Sequence, residues 1–253
     1  AAGAGLATFI SNCVACLYYI ILVLRKRDDT FVSMNIKEFW PTRKIAAEVF
    51  GVGIPASIQN LLNVTGMTIM NNFMAGYGTE AVSAMGITHK VAMVPMYISM
   101  GISQGILPLV GYNFASGNRA RMKETIRFTE KLAGAFMVLA ASVFFVLSEP
   151  IIGLFMSNEL IVSYGGAFMR GASIAMPFLF IDFLAVGVFQ ACGMGRRSLV
   201  FAILRKVVLE IPAMFILNKL FPMYGLAYAQ LVAEFVLAVA AFLILEKIMK
   251  EKA

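Results

Sequence analysis

The sequence predicts an all-α fold, a polytopic membrane helix bundle, and three observations support this class. Hydrophobic residues make up 60% of the 253 residues. Charged residues make up 14%, whereas an ordinary soluble domain carries about 25%. The apolar residues gather in long segments, and a helix needs about 20 such residues to cross the hydrocarbon layer. Because lipid cannot satisfy free backbone groups, these segments favour helices over strands, and a disordered chain or a soluble enzyme is not expected.

Seven segments meet this length requirement. They cover residues 1–24, 45–75, 88–112, 126–147, 161–191, 199–220 and 225–245. Residues 25–44 form the longest polar stretch and hold the only tryptophan, Trp40, a residue that suits the membrane–water interface. We therefore expect a lone helix at 1–24, a cytoplasmic linker at 25–44 and a six-helix lobe at 45–253. A lone helix before an even bundle indicates the end of a preceding bundle, since transporters are often built from repeats.

The basic residues predict the orientation of the chain. All of the 21 Lys and Arg except Lys90, Arg170 and Lys219 fall in the linker, in the tail, or in the loops and adjoining span ends on one side of the predicted spans. Membrane proteins keep Lys and Arg in cytoplasmic loops. The C-terminus is therefore predicted to be cytoplasmic, in a multi-pass protein of the cell membrane. The net charge of +7 is explained by this topology, so nucleic acid is not expected as a partner.

Several Gly- and Pro-containing stretches lie near the ends of the predicted spans. They are GIPASIQN at 53–60, GILPLVGYNFASGN at 105–118, QACGMGR at 190–196, Arg205 followed by Ile211-Pro212, and YGLA at 224–227. Together they resemble the second half of the multidrug and toxic compound extrusion (MATE) transporters, and the stretch at 105–118 is the most specific of them.

The resemblance implies a two-lobe, twelve-helix transporter. In that arrangement the first span is the last helix of the N-terminal lobe, and the next six form the C-terminal lobe. Such a protein is a secondary active antiporter that exports amphipathic, often cationic drugs or metabolites in exchange for H⁺ or Na⁺. The resemblance implies no cofactor beyond the coupling ion. The expected partners are the substrates, the lipid bilayer and the N-terminal lobe of the same protein.

Amide side chains mark the second span as a candidate pathway wall. At 100° per residue, Asn60, Asn63 and Asn71 fall on one stripe, with Gln59 beside it. Such a stripe faces protein or water rather than lipid, so it either lines a substrate path or makes hydrogen bonds between helices. Some members of the resembled family carry a glutamate where Asn63 stands. Gln104 on the third span is a further candidate pathway residue.

Asp182 is the sharpest candidate for ion coupling. It lies about ten residues, or roughly 15 Å, from the cytoplasmic end of the fifth span, and an acid at that depth is a functional hypothesis by default. Phe178 and Phe189 share its helix face, and aromatic rings beside an acid can hold a lipophilic cation. The alternative is a structural acid paired with a neighbouring base.

Glu210 and Glu234 lie at comparable depth on the sixth and seventh spans. Arg205 and Lys206 lie about one turn nearer the cytoplasm, and Lys206 and Glu210 have the i,i+4 spacing of a helical ion pair. We expect three acids and two bases to converge in one layer. The layer is then either a proton relay or a salt-bridge cluster that neutralises itself and stabilises the lobe.

Three other functions are considered. A flippase for lipid-linked saccharides would need a large cationic cavity, and a non-transporting membrane scaffold needs no site. An enzyme is not expected, because a catalytic site needs a nucleophile with a base, or a metal. The single histidine, His89, is assigned to a loop at the outer rim and is too isolated for a metal site.

Overall fold

The structure is a computed structural model that describes residues 2–26 and 42–250. These residues form α1 (Ala2–Arg25), α2 (Arg43–Ala75), α3 (Thr79–Ala115), α4 (Arg119–Val146), α5 (Ser148–Gly153), α6 (Glu159–Ala191), α7 (Gly195–Ile203), a π-helical segment (Leu204–Glu210), α8 (Ile211–Leu220) and α9 (Tyr224–Lys250). The all-α class is confirmed. Most of the predicted linker, Trp40 included, lies outside the described residues.

Six of these helices are long and apolar enough to cross a membrane, within the part of the chain that the structure describes. They are Gly5–Arg25, Arg43–Ala75, Thr79–Ala115, Arg119–Val146, Glu159–Ala191 and Tyr224–Glu246. Two predicted starts are too late, because α3 begins at Thr79 and α4 at Arg119. Asn118 caps α4 by accepting a hydrogen bond from the backbone N–H of Arg121, which satisfies one of the free donors at a helix start.

The sixth predicted span, 199–220, is a helix of mixed type. The chain runs from α7 through the π-helical segment into α8, and the backbone N–H of Ile211 donates to the carbonyl of Lys206, five residues back. Pro212 explains the widening: it has no N–H to donate, and its ring would clash with the carbonyl four residues earlier in a regular helix. π-helical turns often mark functional sites.

The chain divides into two compact units, residues 1–47 and 48–253. The first holds α1, an apolar helix that ends at Arg25. The second holds every residue of the site below. The domain boundaries expected from the sequence, with a lobe from residue 45, stay predictions.

α6 is the central helix of the second unit. It packs against α3, α4, α5, α7 and α9, and its buried positions lie on all sides. A methyl group added at Gly171 would lie 3.2 Å from the Cβ of Ala227, so the missing side chain lets α6 and α9 approach closely. This close packing brings the acids of the two helices into one layer.

Candidate functional site

Arg205 is the centre of a buried ionic cluster. Its Nη1 donates to Oδ2 of Asp182 at 2.9 Å, and its Nη2 donates to Oδ1 of Asn63 at 2.7 Å. Nη1 also lies 4.0 Å from Oε1 of Glu234. The side chains of Arg205, Asp182 and Glu234 are 2%, 1% and 1% exposed. One guanidinium therefore ties the π-helical segment to α2, α6 and α9.

A second ion pair lies beside the first. Nζ of Lys206 contacts both oxygens of Glu210, at 2.7 Å and 2.6 Å, so the pairing expected from the i,i+4 spacing is present. Lys206 packs against Gly66 of α2, where an added methyl would lie 3.3 Å from its Cδ. The π-helical segment thus supplies both bases and one of the acids.

The cluster keeps hydrogen-bonding capacity that the described residues do not use. Within residues 2–26 and 42–250, Oδ1 of Asp182, both carboxylate oxygens of Glu234 and Nε of Arg205 are buried without a hydrogen-bond partner. With every group ionised, three carboxylates face two bases, and the cluster carries one negative charge in excess. Buried excess charge is costly, so neutralisation of one carboxylate would stabilise the cluster.

A cavity of about 410 Å³ opens beside the cluster. Arg205, Lys206, Glu210 and Glu234 are among the polar residues of its wall, and Asp182 accepts a hydrogen bond from Arg205. Eight methionines supply much of the remaining wall: Met67, Met70, Met85, Met93, Met96, Met100, Met176 and Met214. Thioether side chains are flexible and make favourable contacts with aromatic rings, so this wall can adapt to apolar ligands of different shapes.

The structure places the sequence-predicted residues in two groups. Asp182, Glu210, Glu234 and Asn63 come together in the cluster, and Asn60 lines the cavity. The remaining candidates are not among the residues that line the cavity: they are Gln59, Asn71, Gln104, Phe178 and Phe189. The roles of all of them in ion coupling or substrate passage stay predictions.

The aromatic cradle expected around Asp182 stays a prediction, and each of its two rings packs on another ring. The ring of Phe178 packs on Phe235 and that of Phe189 on Phe201, each with centroids 5.3 Å apart. A shared helix face does not mean a shared depth, since seven residues separate Asp182 and Phe189 by roughly 10 Å along the helix. The aromatic ring beside the cluster is Phe183, whose centroid lies 5.2 Å from Cζ of Arg205.

His89 was assigned to a loop, and this assignment is wrong. It lies inside α3 and lines the cavity, and its Nε2 has no hydrogen-bond partner among the residues described. Arg170, which the sequence placed near the outer end of the fifth span, donates to Glu149 at 2.8 Å.

The sequence did not single out Arg205 and Lys206 as site residues. The signal that could have identified them is a pair of basic residues within an apolar segment, six and seven residues before Pro212.

Comparisons with known proteins agree with this architecture. Residues 55–216 match the MatE family model. The multidrug export protein MepA of Staphylococcus saprophyticus is 37% identical over 243 residues, which are 96% of this chain and 53% of that protein. The chain belongs to the MATE family of transporters. MepA of Staphylococcus aureus strain NCTC 8325 is 36% identical over 243 residues, 96% of this chain and 53% of that protein.

Solved structures of the family share the fold. VcmN, a MATE transporter of Vibrio cholerae, superposes with a TM-score of 0.82 at 19% identity, over 91% of this chain and 52% of that one. A MOP superfamily transporter from Pyrococcus furiosus gives a TM-score of 0.84 at 18% identity, over 93% of this chain and 54% of that one. The chain spans about half the length of the MATE proteins it matches.

Proposed function

We propose that the protein containing this chain is a secondary active antiporter that exports amphipathic, often cationic drugs or metabolites in exchange for H⁺ or Na⁺. One observation carries the proposal: a buried cluster with one acid in excess lies at the wall of an adaptable apolar cavity. The MepA relatives, which are multidrug export proteins, support it independently.

The cluster offers a physical route to coupling. An ion shifts an equilibrium between two conformations only by its difference in affinity for the two. Arg205 joins three helices through Asn63, Asp182 and Glu234. A cation or proton that neutralises one carboxylate weakens these links, so it binds more tightly to a conformation in which the helices have separated. Such a change within this lobe gives the ion a means to bias the rocking of one lobe against the other.

The cavity wall indicates the class of substrate. Its volume of about 410 Å³ lies within the range of about 300–1,000 Å³ found for small-molecule sites. Flexible methionines allow one wall to accept several ligands. Excess acid nearby favours ligands that carry a positive charge.

A flippase for lipid-linked saccharides is less well supported. Such a substrate carries phosphate and needs basic side chains that are free to bind it. Arg205 and Lys206, the two bases at the cavity wall, are both held by acids. A non-transporting scaffold would not need a buried excess of acid, which is costly to keep.

We also place the protein in the cell membrane with its C-terminus in the cytoplasm. The grouping of Lys and Arg on one side of the predicted spans supports this orientation.

The test is uptake of a fluorescent lipophilic cation into everted vesicles that contain the protein expressed from its complete reading frame, since export from the cytoplasmic face becomes uptake in an everted vesicle. We expect wild-type transport to stop when the proton or the sodium gradient is collapsed. Asp182→Asn and Glu234→Gln should each lower coupled transport at least tenfold. Glu149→Gln is the matched control, because Glu149 lies outside the cluster and pairs with Arg170.

Two results would contradict the proposal. If the wild type exports no lipophilic cation under any gradient, the antiport function is wrong. If both cluster variants export at the wild-type rate with the same dependence on the gradient, the cluster is not the coupling site.

A further inference from the structure

Three oxygen atoms from three helices surround the guanidinium of Arg205. Oδ1 of Asn63 on α2 lies 2.7 Å from Nη2, and Oδ2 of Asp182 on α6 lies 2.9 Å from Nη1. Oε1 of Glu234 on α9 lies 4.0 Å from Nη1. The side chains of both acids are almost fully buried. The arrangement is thus an enclosed set of oxygen donors around one positive group.

This donor set is of the kind that hard metal cations bind. Carboxylate and amide oxygens are the ligands such cations prefer, and membrane transporters use similar oxygen sets for sodium. In this protein the positive charge among the oxygens belongs to Arg205, a side chain that does not lose its proton. The guanidinium stands where a metal ion would have to be coordinated.

A sodium ion that entered this set would face the charge of Arg205. Two like charges about 4 Å apart repel strongly in a protein interior, enough to lower the affinity by about a thousandfold at an effective dielectric constant of 20. A proton also meets this charge, but it needs no coordination shell: it binds to one oxygen of a carboxylate whose buried charge is costly, and it leaves Arg205 in place. Oδ1 of Asp182 and the oxygens of Glu234 are not in hydrogen bonds with the residues described, so they remain available to a proton.

We propose that Arg205 is a tethered cation that fills the Asn63–Asp182–Glu234 oxygen set and excludes sodium, so that this cluster exchanges protons. The inference rests on the antiport function proposed above and names the ion for this site. The other titratable groups around it are Lys206 and Glu210 on the π-helical segment and His89 on α3, all at the cavity wall. Lys206 and Glu210 neutralise each other, so the proton-binding excess falls on Asp182 and Glu234.

The position of Arg205 is fixed by more than charge. The ring of Phe183 lies against its guanidinium, with the centroid 5.2 Å from Cζ, and cation–π contact holds an arginine better than a lysine. Bidentate donation, with one Nη to Asp182 and the other to Asn63, needs the planar fork that lysine lacks.

The experiment measures sodium binding in the purified protein expressed from its complete reading frame. The melting temperature Tm is compared in NaCl and in choline chloride at equal ionic strength, for wild type, Asp182→Asn, Arg205→Met and the double variant Arg205→Met/Asp182→Asn. In the wild type we expect no rise of Tm in NaCl that is lost in Asp182→Asn. Arg205→Met frees the oxygens, so NaCl should raise its Tm by about 3 °C or more. The double variant should lose that rise.

Two outcomes would overturn the proposal. One is a sodium-induced Tm rise in the wild type that disappears in Asp182→Asn. The other is that the Arg205→Met variant folds, as judged by a single melting transition, and its Tm does not rise in NaCl. If Arg205→Met does not fold, the comparison of wild type with Asp182→Asn decides alone, and the absence of an Asp182-dependent rise supports the proposal. Neither measurement needs transport, so failure here is separate from failure of the efflux test.

Discussion

Two ion pairs of the same kind, one buried and one exposed, give a sharp stability prediction. Lys206 and Glu210 are 12% and 5% exposed, with a shortest separation of 2.6 Å. Arg170 and Glu149 are 44% and 51% exposed and lie 2.8 Å apart. The N···O separations are nearly equal, and the main difference between the two pairs is their burial.

The structure sets the expected magnitudes. Removing one partner of a buried pair leaves a charge without solvent or counter-ion and costs about 3–5 kcal/mol. Lys206→Met should therefore lower the free energy of unfolding by that amount. An exposed pair contributes about 0–1 kcal/mol, because water solvates whichever charge remains. Arg170→Met, the matched control, should change the stability by less than about 1 kcal/mol.

The double variant Lys206→Met/Glu210→Gln isolates the unpaired charge. Because it removes both charges, it should recover most of the stability lost in Lys206→Met. Stability is followed as the melting temperature in detergent by fluorescence-detected size exclusion. About 2–4 °C is expected per kcal/mol for domains of 150–250 residues, so Lys206→Met should melt roughly 6 °C or more below wild type.

Equal melting temperatures for Lys206→Met and Arg170→Met would refute this reasoning. So would a double variant that is less stable than Lys206→Met, since the loss would then come from packing of the lysine side chain and not from the stranded carboxylate.

Three further predictions concern the backbone and the thiol. Pro212→Ala restores a backbone N–H, so the π-helical segment should shorten towards a regular helix; efflux per folded protein should fall about tenfold with no drop in Tm. Burial raises the pKa of the Cys192 thiol to about 11. With the other cysteines replaced by serine, the rate of maleimide labelling should be low at pH 7 and rise about tenfold per pH unit. The rate should level off near pH 11, not near the ordinary thiol pKa of about 9. A methyl group at Gly195 would overlap the carbonyl oxygen of Gly51, whereas one at Gly105 would meet nothing within 4 Å. Gly195→Ala should therefore lower the free energy of unfolding by about 1–3 kcal/mol. Gly105→Ala, the control, should not lower the Tm.

The depth of a residue along its helix could be predicted from the sequence, and its direction around the helix could not. Asp182, Glu210 and Glu234 were placed at similar depth from their distance to the cytoplasmic ends, and the structure brings them into one cluster. Counting residues measures the axial coordinate well, because each residue of a helix rises about 1.5 Å. The layer of charge was therefore predictable before any helix was packed.

Which side chains bond to each other within that layer could not be predicted without knowing how the helices pack. Asn63 was recognised as part of an amide stripe, but its bond to Arg205 depends on how α2 is rotated against the π-helical segment. The ring partners of Phe178 and Phe189 also depended on packing, because α6 is buried on most sides and each face of the helix has its own neighbours. His89 was misplaced because α3 begins earlier than hydropathy alone predicts.

Asn63 also explains why the cluster holds one acid in excess and not two. A carboxylate at this position would accept from Arg205 as the amide oxygen does, but it would add a second negative charge to a site with two bases. With the amide, one proton is enough to make the cluster neutral. A single positive charge on a substrate has the same effect. In the proposed exchange, a proton and a monovalent cationic substrate are therefore alternatives for the same electrostatic role, and such mutual exclusion is what an exchange mechanism requires.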